Sequence, residues 1–108
     1  MSFNIKTISV FERQAKRLMK KFPSLKKEVQ ELIKELKKEP KKGISIGHNC
    51  YKIRLAIVSK GKGKSGGARI ITHFAFRDDT VYLLTIYDKS DIENLTDKEI
   101  LELIKLIP

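Results

Sequence analysis

The sequence predicts an α+β fold: a strand and two helices, then three antiparallel strands and a closing helix, forming one mostly antiparallel sheet with its helices packed on one face. Three observations predict it. Apolar residues recur at helical intervals through 11–36, the period changes to two from Tyr51, and helical spacing returns after Thr96. At 108 residues and 41% hydrophobic content the chain suits one modest packed core. No repeat, low-complexity tract or linker divides it, so residues 1–108 read as a single domain.

The elements follow in order. Phe3 to Ile8 alternates loosely, as a first strand does. Ser9 and Glu12 have capping-box spacing, and Phe11, Ala15, Leu18, Met19 and Phe22 then recur at helical spacing, predicting a first helix that ends at Pro23. Ser24 is placed to cap a second helix, in which Leu25, Val29, Leu32, Ile33 and Leu36 make one apolar stripe closed by Pro40 and Gly43. Tyr51, Ile53, Leu55 and Ile57 alternate with Lys52, Arg54, Ala56 and Val58, predicting a strand with one face on the helices and Lys52 and Arg54 on the other. A loop over 59–67 leads into 68–76, where Arg69, Ile71, His73 and Ala75 share a side. Asp78 and Asp79 make a tight turn into the apolar run 80–87, suited to a central strand buried on both faces. Thr96 and Glu99 repeat the capping-box spacing ahead of Ile100, Leu103, Ile104 and Ile107.

Charge narrows the function. The net charge is +10, and residues 40–77 hold nine basic side chains and no acidic one, whereas 78–108 hold three and eight. A solvated face mixes both signs for solubility, so an acid-free stretch of this length points to a polyanion, with nucleic acid the expected partner. Nothing approaches the roughly 18 apolar residues of a membrane span, and Asn4 and Lys6 interrupt the short apolar run at the N-terminus, so no membrane partner and a cytoplasmic location are expected. Cys50, the lone cysteine, reads as a small buried hydrophobe. Beside His48 it makes a poor metal set, so neither a metal nor a small-molecule cofactor is expected.

The segment Lys62-Gly63-Lys64-Ser65-Gly66-Gly67-Ala68-Arg69-Ile70-Ile71 and the run Tyr82-Leu83-Leu84-Thr85-Ile86-Tyr87-Asp88-Lys89-Ser90, in this order of elements, resemble the RelE/ParE toxin superfamily, and its HigB-like branch most closely. That branch has a basic Gly-Gly-X-Arg loop before the central strand, a Tyr-X-Lys ending on the next strand, and a Leu-Thr or Leu-Ser pair before a short helix, here Leu95-Thr96. The resemblance covers nearly the whole chain. It implies a compact RelE-like toxin domain and the toxin of a type II toxin–antitoxin pair: a ribosome-dependent endoribonuclease, or mRNA interferase, that cleaves messenger RNA in the A site without a metal and inhibits translation. The implied partners are mRNA on the ribosome and an acidic cognate antitoxin. The alternative is a ParE-like gyrase inhibitor, a toxin of the same architecture that is not an enzyme. The prototype's late arginine and near-terminal tyrosine have no counterpart here, since residues 90–108 lack arginine and Tyr87 is the last tyrosine. The prototype's acid–base assignment therefore does not transfer.

Metal-free RNA cleavage needs a base for the 2′-hydroxyl, a cation for the phosphorane-like transition state and an acid for the departing 5′-oxygen. Arg69, where the loop enters a strand, is the candidate clamp, its planar fork matching two phosphate oxygens. Lys62 and Lys64 serve as base or only hold phosphate; like charge around them favours a lowered pKa. Lys89, carried over by the motif, is the candidate acid or second stabiliser. Lys60, Lys52, Arg54, Lys41 and Lys42 extend the proposed RNA track, although a mobile solvated loop explains Lys60, Lys62 and Lys64 equally well and a helix end explains Lys41 and Lys42. His73 either contacts a base or is packed and hydrogen-bonded, and Tyr87 either stacks on a nucleotide or plugs the core. His48 reads as a loop residue.

Overall fold

A computed structural model describes residues 2–61, 63–92 and 94–108, with Lys64 described in its backbone only. Strand β1 (Asn4–Thr7) leads into α1 (Ser9–Lys21) and α2 (Leu25–Lys38), followed by β2 (Ile44–Gly47), β3 (Cys50–Leu55), β4 (Ala68–Ala75), β5 (Thr80–Asp88) and α3 (Asp97–Ile104). The five strands form one sheet in the order β1-β5-β4-β3-β2. β1 runs parallel to β5, and all other pairs are antiparallel. This is the α+β architecture expected, with one strand more.

The added strand is β2. Gly47 and Cys50 pair across a two-residue turn in which His48 and Asn49 both have positive φ, 55° and 57°. That is the left-handed pair a tight type I′ hairpin demands. The usual signal puts glycine inside such a turn; here the glycine precedes it, which hid the hairpin in the sequence. His48 lies in a turn, as expected.

The pleat sorts the side chains. Ile53, Ile70 and Ile86 form one rung across β3, β4 and β5, all at most 3% exposed. They share a face with Phe74, whose ring meets Phe3 edge-on at 5.6 Å, and Phe3 N–H donates to the Lys37 carbonyl at the end of α2. α1 and α2 cover this face with Phe11, Ala15, Leu18, Leu25, Val29, Leu32 and Leu36. Expecting the helices on one face holds for this pair. α3 lies on the other: its buried Ile100 borders a cavity with Lys52, Ile71 and Tyr87, and Lys52 is adjacent to Ile53 in a strand of period two. Eight residues separate β5 from α3, so helix spacing alone could not assign the side.

Helix starts vary in how well their caps match the sequence. Thr96 and Glu99 form the full reciprocal box. Ser9 does not cap α1, because the helix already begins at Ser9 and the Glu12 carboxylate instead accepts the Thr7 hydroxyl at 2.9 Å. Ser24 stands at the N-cap of α2 but gives its hydroxyl hydrogen-bonding to Glu28 and Ser59. The loop before β4 contains short 3-10 turns at Val58–Lys60 and Lys64–Gly66. Gly67 is required there by close approach, since a Cβ would lie 2.1 Å from the Leu55 carbonyl oxygen.

Candidate nucleic-acid interface

One rung beyond the isoleucines, Arg54 of β3 faces Arg69 of β4, which faces Tyr87 of β5. The register therefore sets two arginines opposite each other on neighbouring strands, near enough for Arg54 to act electrostatically on Arg69. Arg54 is exposed, whereas Arg69 is only 4% exposed. Arg69 Nη1 donates to the Ala68 carbonyl at 3.1 Å and Nη2 to the Ser65 carbonyl at 3.3 Å, so the loop's own backbone orients the fork. Burial, and then repulsion from Arg54, hold the Arg69 pKa below its ordinary value, with Tyr87 acting the other way. A guanidinium keeps its proton even so. Two guanidiniums on one rung are chemically suited to meet a phosphate.

Tyr87 is 3% exposed, and its hydroxyl has no hydrogen-bond partner among the described residues. Burial raises its pKa, opposed in part by Arg69. It opens onto a cavity of about 190 Å³ roofed by the start of α3, where Lys52 Nζ donates to Asn94 Oδ1 at 3.1 Å. Lys89 is half-buried, and its amide donates to the Gly67 carbonyl at 3.0 Å, which fastens the end of β5 to the loop two residues before Arg69. Arg69, Arg54, Lys52, Tyr87 and Lys89 thus gather at one end of one face.

The other expected residues distribute differently. Lys60 does not join this surface. Its ammonium donates to Asp88 Oδ1 at 2.5 Å and to Ser90 Oγ at 3.2 Å, and lies 5.7 Å from the Phe22 ring centre, on the side of α1 and α2. With Lys60 13% and Asp88 2% exposed, this is a buried ion pair. Burial pushes the Asp88 carboxyl up, but the hydrogen bonds from Lys60 and Ser90 and the Lys60 charge outweigh it, leaving the pKa below the ordinary value. Lys42 pairs with Glu35 at 3.2 Å, and Lys41 is exposed beyond the end of α2. Lys62 lies outside the described residues, as does the Lys64 side chain. His73 Nδ1 is 3.6 Å from Cys50 Sγ one rung from the hairpin turn; burial lowers its pKa against an opposing bond to the His48 backbone, as suits a packed histidine. Cys50 is fully buried, with its thiol pushed up to about 11, so it stays a thiol.

Sequence reasoning missed Asp88 as the partner of Lys60, and Asn94 and Asp97 beside Lys52. Their only signal was position in the acidic last third. A cavity of about 620 Å³ runs between α2 and β3. Glu28, Glu31 and Glu35 border it together with Lys27, Lys42 and Arg54, so its charges are mixed. No described helix is long and apolar enough to cross a membrane.

Two comparisons bear on this geometry. A family model described as the RelE toxin of the RelE/RelB toxin–antitoxin system matches residues 6–107. The structure of an E. coli RelE mutant with two arginines changed to alanine, in the free state, superimposes with a TM-score of 0.63 at 15% identity, covering 100% of both chains. At that identity the likeness speaks for the fold.

Proposed function

The chain belongs to the RelE toxin family, and from that premise we propose that it cleaves messenger RNA on the ribosome without a metal and so stops translation. The observation that supports the reading is the Arg54–Arg69 rung: two arginines paired by strand register, with the fork of Arg69 oriented by backbone carbonyls. A phosphate set against this rung meets both guanidiniums at once.

In the proposed reaction a base takes the 2′-hydroxyl proton, the resulting oxygen attacks the adjacent phosphorus, and the bond to the 5′-oxygen breaks as that oxygen gains a proton. A 2′,3′-cyclic phosphate and a 5′-hydroxyl result. Arg54 and Arg69 neutralise the charge that builds on the phosphorane oxygens. Lys89, pinned beside Gly67, supplies a second positive charge or the proton, and Lys62 and Lys64 on the loop supply the base or further phosphate contacts. Lys52 and Lys41 extend the track. An acidic antitoxin covering this face would silence it by the same electrostatics.

The test is induction of the chain in cells, with transcripts mapped and plasmid supercoiling measured together. Cut transcripts with normal supercoiling are expected, and growth arrest relieved in Arg69→Ala and Lys89→Ala. Intact transcripts with lost supercoiling would instead assign the chain to gyrase inhibition.

A further inference from the structure

A second basic surface stands apart from the arginine rung. α1 carries five basic side chains, Arg13, Lys16, Arg17, Lys20 and Lys21, all exposed, and one acidic one, Glu12, whose carboxylate accepts the Thr7 hydroxyl. Among the described residues none of the five is in an ion pair. At 3.6 residues per turn Arg13 and Lys20 point directly away from the buried Phe11, Ala15 and Leu18, with Lys16 and Arg17 about 50° to either side. The neighbouring helix supplies the contrast. α2 also carries five lysines, but it sets Glu28, Glu31 and Glu35 among them, and Glu31 pairs with Lys34 and Glu35 with Lys42, as on an ordinary solvated face.

Helix stability does not explain the stripe. Lys20 and Lys21 lie in the last turn, where the macrodipole favours them, but Arg13, Lys16 and Arg17 do not. Arg13 and Arg17, Lys16 and Lys20, and Arg17 and Lys21 are like charges four residues apart, a spacing that destabilises a helix. Unmatched cations repeated along a rigid rod suit a polyanion with regularly repeated charges. The surroundings narrow the partner further. Phe11 and Phe22, the aromatic rings of this segment, are buried, so an unpaired strand has no platform on which to stack its bases. Phosphate and sugar remain. A duplex holds its phosphates at fixed positions, and a rigid helix meets several of them without first ordering a flexible strand. Arg13 and Arg17 share a groove with Gln14, whose carboxamide both donates and accepts, as a 2′-hydroxyl does.

Resting on the RNA reading above for the choice of RNA, we infer that the outer face of α1 docks the protein on the backbone of double-helical RNA, with Arg13, Lys16, Arg17 and Lys20 on phosphates and Gln14 on a ribose hydroxyl. α1 packs on the sheet face that carries Ile70, and the adjacent Arg69 belongs to the other face, so docking leaves the rung open to the strand that is cut.

The test uses the full chain and a fluorescent RNA duplex, with affinity read by anisotropy against salt, beside an unpaired RNA oligomer and a DNA duplex of the same sequence. The RNA duplex is expected to bind more tightly than the DNA duplex, and Gln14→Ala to narrow that difference. Arg13→Gln combined with Arg17→Gln should lower the slope of log affinity for the duplex against log salt by about 1.8, twice the roughly 0.9 of one phosphate contact. Lys16→Gln combined with Lys20→Gln should do the same. Both double variants should melt at or above the wild-type temperature, since like charges leave an exposed helix face, and should bind the unpaired oligomer as wild type does. An unchanged duplex slope in either double variant, an equal loss for the unpaired oligomer, or equal or tighter binding of DNA would overturn the docking surface. So would displacement of the duplex by polyglutamate as readily as by unlabelled duplex at equal charge, which would assign α1 to an acidic protein. The two readings separate: transcripts cut in cells by a chain that ignores the duplex sink the docking surface alone, and duplex binding that depends on α1 with intact transcripts sinks the nuclease alone.

Discussion

Lys60 and Arg69 come from the same basic segment, nine residues apart, and meet opposite fates. Lys60 turns towards α1 and α2 and is neutralised by Asp88, with Ser90 and the Phe22 ring around it. Arg69 lies on the other face, against a second arginine. Both are largely buried, so exposure does not separate them; the sign of the neighbour does. Lys60 has a carboxylate at 2.5 Å, whereas Arg69 shares its rung with Arg54, whose charge lowers its pKa. Charge counted along the chain could not tell a lysine closed into an ion pair from an arginine on the opposite face, and the side of the sheet can.

The sharpest way to break the comparison is to swap what each cation does. Lys60→Met leaves the Asp88 carboxylate buried without its ammonium, and removing one partner of a buried pair costs about 3–5 kcal/mol. Thermal or urea unfolding should show that loss, while RNA cleavage by the protein that remains folded stays near normal. Arg69→Ala should do the reverse in kind. Cleavage is expected to fall about 10²–10³-fold, the size of one lost transition-state donor, with a smaller loss of stability from the carbonyls of Ala68 and Ser65. Arg69→Lys keeps the charge and loses the fork, so it should recover stability before activity. If Lys60→Met lost as much specific activity as Arg69→Ala, the division between the two faces would fail.

The ion pair also predicts a pH dependence with a definite sign. Folding holds the Asp88 pKa below its unfolded value, so its contribution is fully present above the ordinary carboxylate range and disappears as pH falls through the folded value. Unfolding followed across that acid range should steepen in wild type and flatten in Asp88→Asn. An identical acid profile in both proteins would remove Asp88 as the source.

Much of this arrangement was legible beforehand, and what was not has physical reasons. The apolar stripe of α2, the Thr96 cap and the buried run of β5 are local patterns, and they appear as read. That Lys52 and Arg54 share a face follows from period two. That Arg54 meets Arg69 does not, because it depends on the register set across the 56–67 loop. Lys60 finds Asp88 at a distance of 28 residues, and no local pattern encodes that contact. The cavity under α3 depends on which face that helix takes, so Asn94 and Asp97 carried no signal of their own.

The smallest expected effect tests the premise of the comparison most directly. Arg54 is exposed and its charge opposes that of Arg69, so Arg54→Gln removes a repulsion the fold otherwise carries. Like charges opposed across strands cost about 0.2–1 kcal/mol, and the variant should be more stable by that amount at low salt. The same change deletes one phosphate contact, so the slope of log affinity for single-stranded RNA against log salt should fall by about 0.7. A gain in stability coupled to a loss in the salt slope is the signature of a residue kept for a ligand at the fold's expense. A variant that lost stability with an unchanged slope would show that Arg54 serves the sheet, and the rung would then have no claim on phosphate.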